Sequence, residues 1–419
     1  MNLLIKTSVS DGIDRLTILN IKSKKIKNKT KLSEIEKEKS LLLEKLNPYM
    51  KGIINYYYKI LESINNHIWD ILDKAKYEDI DEKAELECYR EQEDYNERRF
   101  RVKRMIDNNI SSDIKEQKGY KKKICAILTH LGLGDHIYHC GMIRYLATIY
   151  DEIQLVCIET NYENLKILFF DILNIITFYK IPDYSHSHHY SCIHNFKNRT
   201  LKDNNIDIFF NGGYSIDKNG PIHDYPFSWY DSVNINTSVF WDYTYIPKTE
   251  INEQVYNIVK DMKYVFMHNT CSGGLVFTTT EMEKKFNINR NNILFINPCV
   301  NIYPKNHKFH NIAEKFLVYK LCDYIKLIEK AEYIFVTDSS FFGMCHHLED
   351  IQTDNVYYFN RGLDYQHLYS DKFKSNNSKL KRFKRLNDNN ENRCCGIWKS
   401  HIVGGGEDVK NIVNKDIKA

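Results

Sequence analysis

Apolar residues recur every three to four positions through the first part of the chain. Ile53, Ile54, Tyr57, Ile60, Leu61, Ile64, Ile68, Ile71 and Leu72 make one stripe, and Leu32, Ile35, Leu42 and Leu46 make another. That period places each set on one helix face, which must be buried against partner helices. Pro48 and Gly52 punctuate between the stripes. A third, highly charged helix is expected over 82–110, and no glycine lies between Gly52 and Gly119 to interrupt it. Residues 1–120 therefore read as an all-α helical domain.

The pattern changes at Lys121. Short β-branched and aromatic runs stand at Ile124–Leu128, 153–158, Ile206–Phe210, Tyr264–His268, 293–296, 333–336 and Val356–Phe359. Between them 137–150, 161–173, 252–262 and 313–330 have helical period. Strands alternating with helices indicate an α/β architecture built on parallel sheets. The span suits two Rossmann-like domains of ordinary size, 121–248 and 249–371, with a hinge over 245–254. Residues 372–419 form a polar tail rich in Asn and Lys.

Composition narrows the class. Of 419 residues, 42% are hydrophobic and 27% charged, enough apolar material for packed cores and too much for wholesale disorder. Lys and Arg number 59 against 55 Asp and Glu, a net +4, which lacks the concentrated basic surface that a nucleic-acid binder needs. The 30 tyrosines read first as the mark of an AT-rich genome. Eleven cysteines are scattered, with Cys125, Cys157 and Cys322 in apolar runs, so free thiols in a reducing compartment are expected rather than a disulfide framework. The most apolar stretch, 165–181, is broken by Asp171, Asn174 and Lys180 and falls short of a membrane span. Residues 1–14 lack the apolar core of a secretion signal. A soluble, cytoplasmic protein is expected.

Three polar turns could carry chemistry. His130-Leu131-Gly132-Leu133-Gly134-Asp135-His136 follows the first strand and precedes a helix, and Gly132 and Gly134 let the backbone approach a ligand closely. Ile137 at the third glycine position excludes the dinucleotide fingerprint. Asp135 is either a helix N-cap or a carboxylate presented at the sheet edge where α/β proteins bind ligands. Thr337-Asp338-Ser339-Ser340-Phe341 follows a later strand, and its hydroxyls suit either a cap or a phosphate. His268-Asn269-Thr270-Cys271-Ser272-Gly273-Gly274 is either a diphosphate cradle or a surface turn, and lacks the P-loop Gly-Lys-Ser/Thr. Weaker features complete the inventory. Arg98, Arg99, Arg101, Lys103 and Arg104 read as a solvated face beside the acidic 85–97 stretch before they read as an anion site. His186, His188, His189, Cys192 and His194 match no standard zinc spacing. Asp79 and Asp81 read as solvated charge, and Cys394-Cys395 as an inert pair.

Residues 121–370 resemble two-domain nucleotide-sugar glycosyltransferases of the GT-B type, in the style of the heptosyltransferase-like family. Gly134-Asp135 matches that family's turn after the first strand, and the resemblance implies that Asp135 is the catalytic base. Asp338-Ser339-Ser340 matches its late turn, implying contacts to the donor diphosphate. The family's histidine five residues beyond that aspartate is missing; Gly343 stands there, with His346 and His347 later. No basic residue is recognisable after Gly274 for the donor phosphates. Residues 8–120 resemble a small helical domain of unassigned function found beside glycan-assembly genes. Ser8-Val9, Ile13-Asp14-Arg15-Leu16-Thr17-Ile18-Leu19, Ile68-Trp69-Asp70, Asn96-Glu97-Arg98-Arg99-Phe100 and Glu116-Gln117-Lys118-Gly119-Tyr120 carry that match.

The resulting expectation is an inverting glycosyltransferase that moves a sugar from a nucleotide-sugar donor to a glycan acceptor hydroxyl, with no cofactor, metal or nucleic-acid partner. Asp135 would be the base and His136 its rival. Asn269, Thr270, Ser272, Gly273, Gly274, Asp338, Ser339 and Ser340 would hold the donor, and Gly132 and Gly134 would form the acceptor-side loop. The alternatives are a scaffold or glycan-binding protein that keeps the fold and oligomerises through the helical domain, or a nucleotide-sugar epimerase.

Overall fold

A computed structural model describes residues 6–119, 121–129, 131–182, 186–210, 227–271, 274–359 and 383–386, with the backbone alone at 186–190 and 227. Among these residues the chain opens with four helices: α1 (Val9–Lys25), α2 (Lys29–Leu46), α3 (Ile53–Tyr77) and α4 (Glu82–Asn109). Their starts are chemically specified. Ser8, Asn28 and Asp81 each accept a backbone N–H of the following turn, from Asp11, Lys31 and Ala84. Asp81, expected as solvated charge, is thus the cap of α4. The stripe on α3 is buried as its period predicts, from Ile54 and Tyr57 through Ile68 and Ile71.

Mixed α/β structure with parallel sheets follows. Strands β1 (Ile124–Leu128), β2 (Glu152–Ile158), β3 (Ile176–Ile181) and β4 (Ile206–Phe210) form one parallel sheet in the order β3-β2-β1-β4. The helices α5 (Leu133–Tyr138), α6 (Cys140–Ala147), α7 (Tyr162–Leu168) and α8 (His186–Leu201) connect them; α9 (Phe227–Asp231) and α10 (Ser238–Asp242) follow β4. After α11 (Ile251–Asn257) comes a second parallel sheet, built from β5 (Tyr264–His268), β8 (Leu294–Ile296), β9 (Tyr333–Thr337), β10 (Val356–Phe359) and β11 (Phe383–Arg385) in the order β11-β10-β9-β5-β8. A small antiparallel hairpin, β6 (Thr270–Cys271) and β7 (Gly274–Leu275), and the helices α12 (Thr279–Phe286), α13 (His310–Glu314), α14 (Ile325–Glu329) and α15 (Ser340–Cys345) complete it. β1 and β5 sit inside their sheets and are buried on both faces, hence their unbroken apolar runs.

Three elements depart from the sequence pattern. β3 lies at the end of the apolar 165–181 stretch, where no strand is expected, yet it pairs with β2 over six positions. The expected helix over 137–150 breaks at His139, where Cys140 starts a new helix. The expected helix over 313–330 is also broken, because the Asp323 carboxylate accepts the Lys320 N–H at 2.9 Å and restarts the chain there. The solvated-face reading of the α4 cations is overturned. Arg99 holds buried Asp14 as a fork, Arg101 is 7% exposed between Glu97 and Asp151, and Lys103 bridges Asp11 and Glu116. Arg98 lies on the faces of Tyr95 and Tyr145, 4.8 and 5.1 Å from the ring centroids. Arg104 alone of the five is exposed.

One buried ion pair ties these parts together. Arg144 on α6 binds Asp171 through two nitrogens, at 2.8 and 3.1 Å, with both side chains almost wholly excluded from solvent. It also donates to the carbonyls of Leu168 and Tyr245. From the helical segment, Tyr57 donates its hydroxyl to the Asp171 carboxylate at 2.6 Å, and Asn109 donates to the Asp171 carbonyl. Burial alone would lower the Arg144 pKa, but the facing Asp171 charge outweighs it and holds the guanidinium well above its usual value. The expected hinge is gripped here: Tyr56 donates to the Tyr243 carbonyl, Arg144 to that of Tyr245, and Lys248 reaches Glu329 and Asp350.

Breaking that pair strands a charge in the interior. Asp171→Asn should cost about 3–5 kcal/mol in urea unfolding. Lys24→Ala, which removes an exposed pair with Glu62, should cost no more than about 1 kcal/mol.

Candidate functional site

The carboxyl ends of both parallel sheets carry the turns singled out in the sequence, and two of these turns meet. Gly134, in the first turn of α5, lies against the backbone of Ser339 and Ser340. A Cβ at Gly134 would stand 3.0 Å from the Ser340 nitrogen and 3.4 Å from the Ser339 carbonyl carbon. One helical turn further on, Gly343 of α15 leaves room for Ile137 and Tyr138 of α5, whose atoms would be 3.1–3.3 Å from an added Cβ. Two glycines, one on each short helix, therefore let α5 and α15 seat directly on each other. The glycine expected to admit a ligand also admits the opposing turn.

Asp135 is half-buried, and one of its carboxylate oxygens accepts the Gly132 N–H at 3.0 Å. This bond fixes the carboxylate over its own turn. His136 is fully buried. Its Nδ1 donates toward the Gly132 carbonyl at 3.0 Å, and its Nε2 faces the Val156 carbonyl of β2 at 3.1 Å. The ring is a strut between α5 and the sheet rather than a group facing the Ser339–Ser340 turn. His139, absent from the sequence reading, donates Nδ1 to the Asp135 carbonyl at 2.6 Å and stacks on Trp229 at 4.5 Å. It braces the Asp135 turn from behind.

On the second sheet, Ser339 stands at the N-cap position of α15 in an extended conformation, and its hydroxyl hydrogen-bonds His268 Nδ1 at 2.9 Å instead of a helix N–H. His268, at the last position of β5, was quoted in the sequence motif but given no role. The signal was its place at a strand end. Asp338 is 1% exposed, its backbone N–H bonded to Phe359 and its carboxylate accepting the Thr337 hydroxyl at 3.3 Å. It shapes the turn from beneath, while Ser340 opens the helix above. Asn269 is also buried. Its amide donates to the Phe277 carbonyl and accepts from Asn297, both at 2.8 Å, so its side chain closes the hairpin loop. Thr270 and Gly274 form the hairpin itself, where Gly274 adopts φ +102, a conformation suited to glycine. Ser272 and Gly273 lie outside the described residues, as do His130, Cys394 and Cys395.

The remaining candidates sit elsewhere. His186, His188, His189, Cys192 and His194 fall on α8, with His194 exposed and the side chains of 186–190 not described. Among the described residues no group of three or more His, Cys, Asp or Glu side chains is placed to hold a metal. His346, which follows α15, is buried among Tyr138, Phe342 and Phe383, and that burial pushes its pKa down to about 3.

No protein-family model and no curated protein sequence matches the chain. Among solved structures, a glycosyl transferase family 9 protein from Veillonella parvula aligns with 57% of this chain and 80% of its own length, at 10% identity and a TM-score of 0.33.

Two outcomes test the geometry. Gly134→Ala forces a methyl group against backbone that cannot rotate away, and should destabilise by about 1–3 kcal/mol in denaturant unfolding. His346 gives a pH signature. Its folded pKa lies below the unfolded value of 6.5, so the unfolded chain takes up the proton first. Its contribution is complete above that pH and is lost as pH falls toward about 3. His346→Leu should flatten the stability profile across this window by up to ~1.4 kcal/mol per pH unit.

Proposed function

We propose that this chain is a glycosyltransferase that moves a sugar from a nucleotide-sugar donor to the hydroxyl of a glycan acceptor, with inversion and without a metal. The observation that carries the reading is the apposition of the Gly134–Asp135 turn and the Ser339–Ser340 turn. Parallel sheets bind ligands outside the carboxyl ends of their strands. Here two such edges converge, one offering a carboxylate and the other hydroxyls and N–H groups. That division of labour suits transfer from a diphosphate leaving group to an alcohol.

In this reading Asp135 removes the acceptor proton as the oxygen attacks the anomeric carbon from the face opposite the diphosphate. The Gly132 N–H holds the carboxylate in place, and His136 and His139 hold the turn that carries it. Charge developing on the departing diphosphate is met by Ser339, Ser340 and the 270–274 hairpin, acting as neutral hydrogen-bond donors. His268 orients the Ser339 hydroxyl. Asn269 and Asp338 keep the two loops in shape without touching the donor. The order of domains, helical segment first, then acceptor side, then donor side, belongs to the same proposal.

The test is Asp135→Asn, because the amide oxygen can still accept the Gly132 N–H and preserve the turn. Nucleoside diphosphate release from a panel of nucleotide sugars and acceptors should fall about 10²–10⁴-fold, with the melting temperature unchanged. Wild-type turnover in the variant would remove Asp135 from the mechanism. Absence of both donor consumption and any thermal shift with nucleoside diphosphates would instead favour a scaffold, since saturation at 100 times Kd adds about 2.7 kcal/mol.

A further inference from the structure

A concavity lies at the opposite edge of the first sheet, where β1, β2 and β3 begin. It is a cleft of about 380 Å³ between α4 and the segments that lead into those strands. This volume falls within the range of small-molecule sites and far exceeds what an inorganic ion needs. The cleft is independent of the Asp135 turn, which sits beyond the other end of β1.

Its walls are unequally charged. Arg101, Arg104, Lys118 and Lys122 line it, against the single carboxylate of Asp151. That carboxylate is already held by Arg101 at 3.1 and 3.3 Å and by the Lys123 N–H at 3.0 Å. Lys122 leans outward to Glu152 on the rim, and Lys118 lies 4.9 Å above the Phe100 ring. Arg104 is exposed, and its charge acts on the Asp151 carboxyl in the cleft wall. A guanidinium fork backed by two ammonium groups matches the geometry and charge of a phosphate dianion better than that of a single carboxylate. The rest of the lining is apolar apart from Asn108 and Asn174. Phe100 and Ile175 contribute hydrocarbon, and Tyr150 contributes its ring alone, because its hydroxyl is bonded to Asp207 at 2.7 Å.

We infer that this cleft binds a phosphorylated small molecule. Arg104, Lys118 and Lys122 hold the phosphate at the mouth, and a compact apolar body rests against Phe100, Tyr150 and Ile175. Such a ligand touches both α4 and the first sheet, so its binding stabilises the junction of the helical segment with the α/β part.

Calorimetric titration of the full chain with phenyl phosphate, with benzoate as the carboxylate comparator, tests this. Arg104→Gln/Lys118→Gln should weaken phenyl phosphate binding by roughly tenfold or more, with the ligand-free melting temperature unchanged. Arg104→Gln alone, at an exposed position, should weaken it in the same direction. Ser339→Ala/Ser340→Ala should leave it intact. The proposal is overturned if the double variant binds as wild type, if wild type shows no saturable binding, or if benzoate binds as tightly. Loss confined to the serine variant also overturns it, and would place the phosphate at the carboxyl edge instead. Loss confined to the arginine–lysine variant leaves the transferase reading to its own test.

Discussion

The structure hangs on a charge that cannot be left alone. Arg144 is fully buried, and a guanidinium in such a place is tolerated only when its donors are answered. Asp171 answers it from the segment before β3, Leu168 from the end of α7, and Tyr245 from the crossing between the sheets. Tyr57 and Asn109 then fasten Asp171 to the helical segment. Four otherwise separate stretches of chain thus converge on one ion pair. Its Coulombic gain is largely offset by desolvation, so it acts mainly as a constraint on arrangement. An interior that must satisfy every donor of this guanidinium admits few alternative packings.

That constraint reaches the candidate site through α6. Arg144 fixes the helix, and Gly141 on it lies so close to Val239 and Phe240 that an added Cβ would meet the Val239 carbonyl oxygen at 2.5 Å. α5 runs directly into α6 at His139, whose ring binds the Asp135 carbonyl. The Asp135 turn is therefore held at one end by buried polar contacts and at the other by the Gly134 and Gly343 approaches to α15. Sites on rigid elements keep reacting groups within the narrow tolerances that transfer chemistry requires. The helical segment contributes at a distance, by gripping the crossing at Tyr243 and Tyr245.

Much of this could be read from the sequence, and what could not has identifiable causes. The central strands were legible because burial on both faces leaves an unbroken apolar run, as in β1, β5 and β9. β3 was not, because it lies in one apolar stretch with α7 and its burial does not alternate: Ile176 and Ile181 are buried, Thr177 and Lys180 exposed, and Phe178 and Tyr179 between. Charge misled in α4, where the local series cannot reveal that Arg99, Arg101 and Lys103 face carboxylates distant in the chain or on its far side. The three polar turns were found from glycine and hydroxyl residues at strand ends. Which of their side chains only shape the loops depended on partners outside the turns: Phe277 and Asn297 for Asn269, Val156 for His136.

Asp135 was open to two readings, as a helix N-cap and as a catalytic carboxylate. The first is corrected: Gly132 holds the N-cap position of α5, and Asp135, three residues on, turns its carboxylate back to the Gly132 N–H. That bond is compatible with the catalytic role proposed. A carboxylate offers roughly four lone-pair directions, and the Gly132 N–H occupies one on a single oxygen. That bond restrains the side chain, which is what a base must have if it is to meet an acceptor hydroxyl in line with a leaving group. A free, mobile carboxylate at the same place would spend most of its time misaligned and would lose the advantage of orientation. The same economy operates on the opposing turn, where the Ser339 hydroxyl is oriented by His268. In both turns a hydrogen bond that would serve stability anywhere else in the chain sits where two sheet edges meet. Position, rather than bond type, separates these contacts from the caps of α1, α2 and α4.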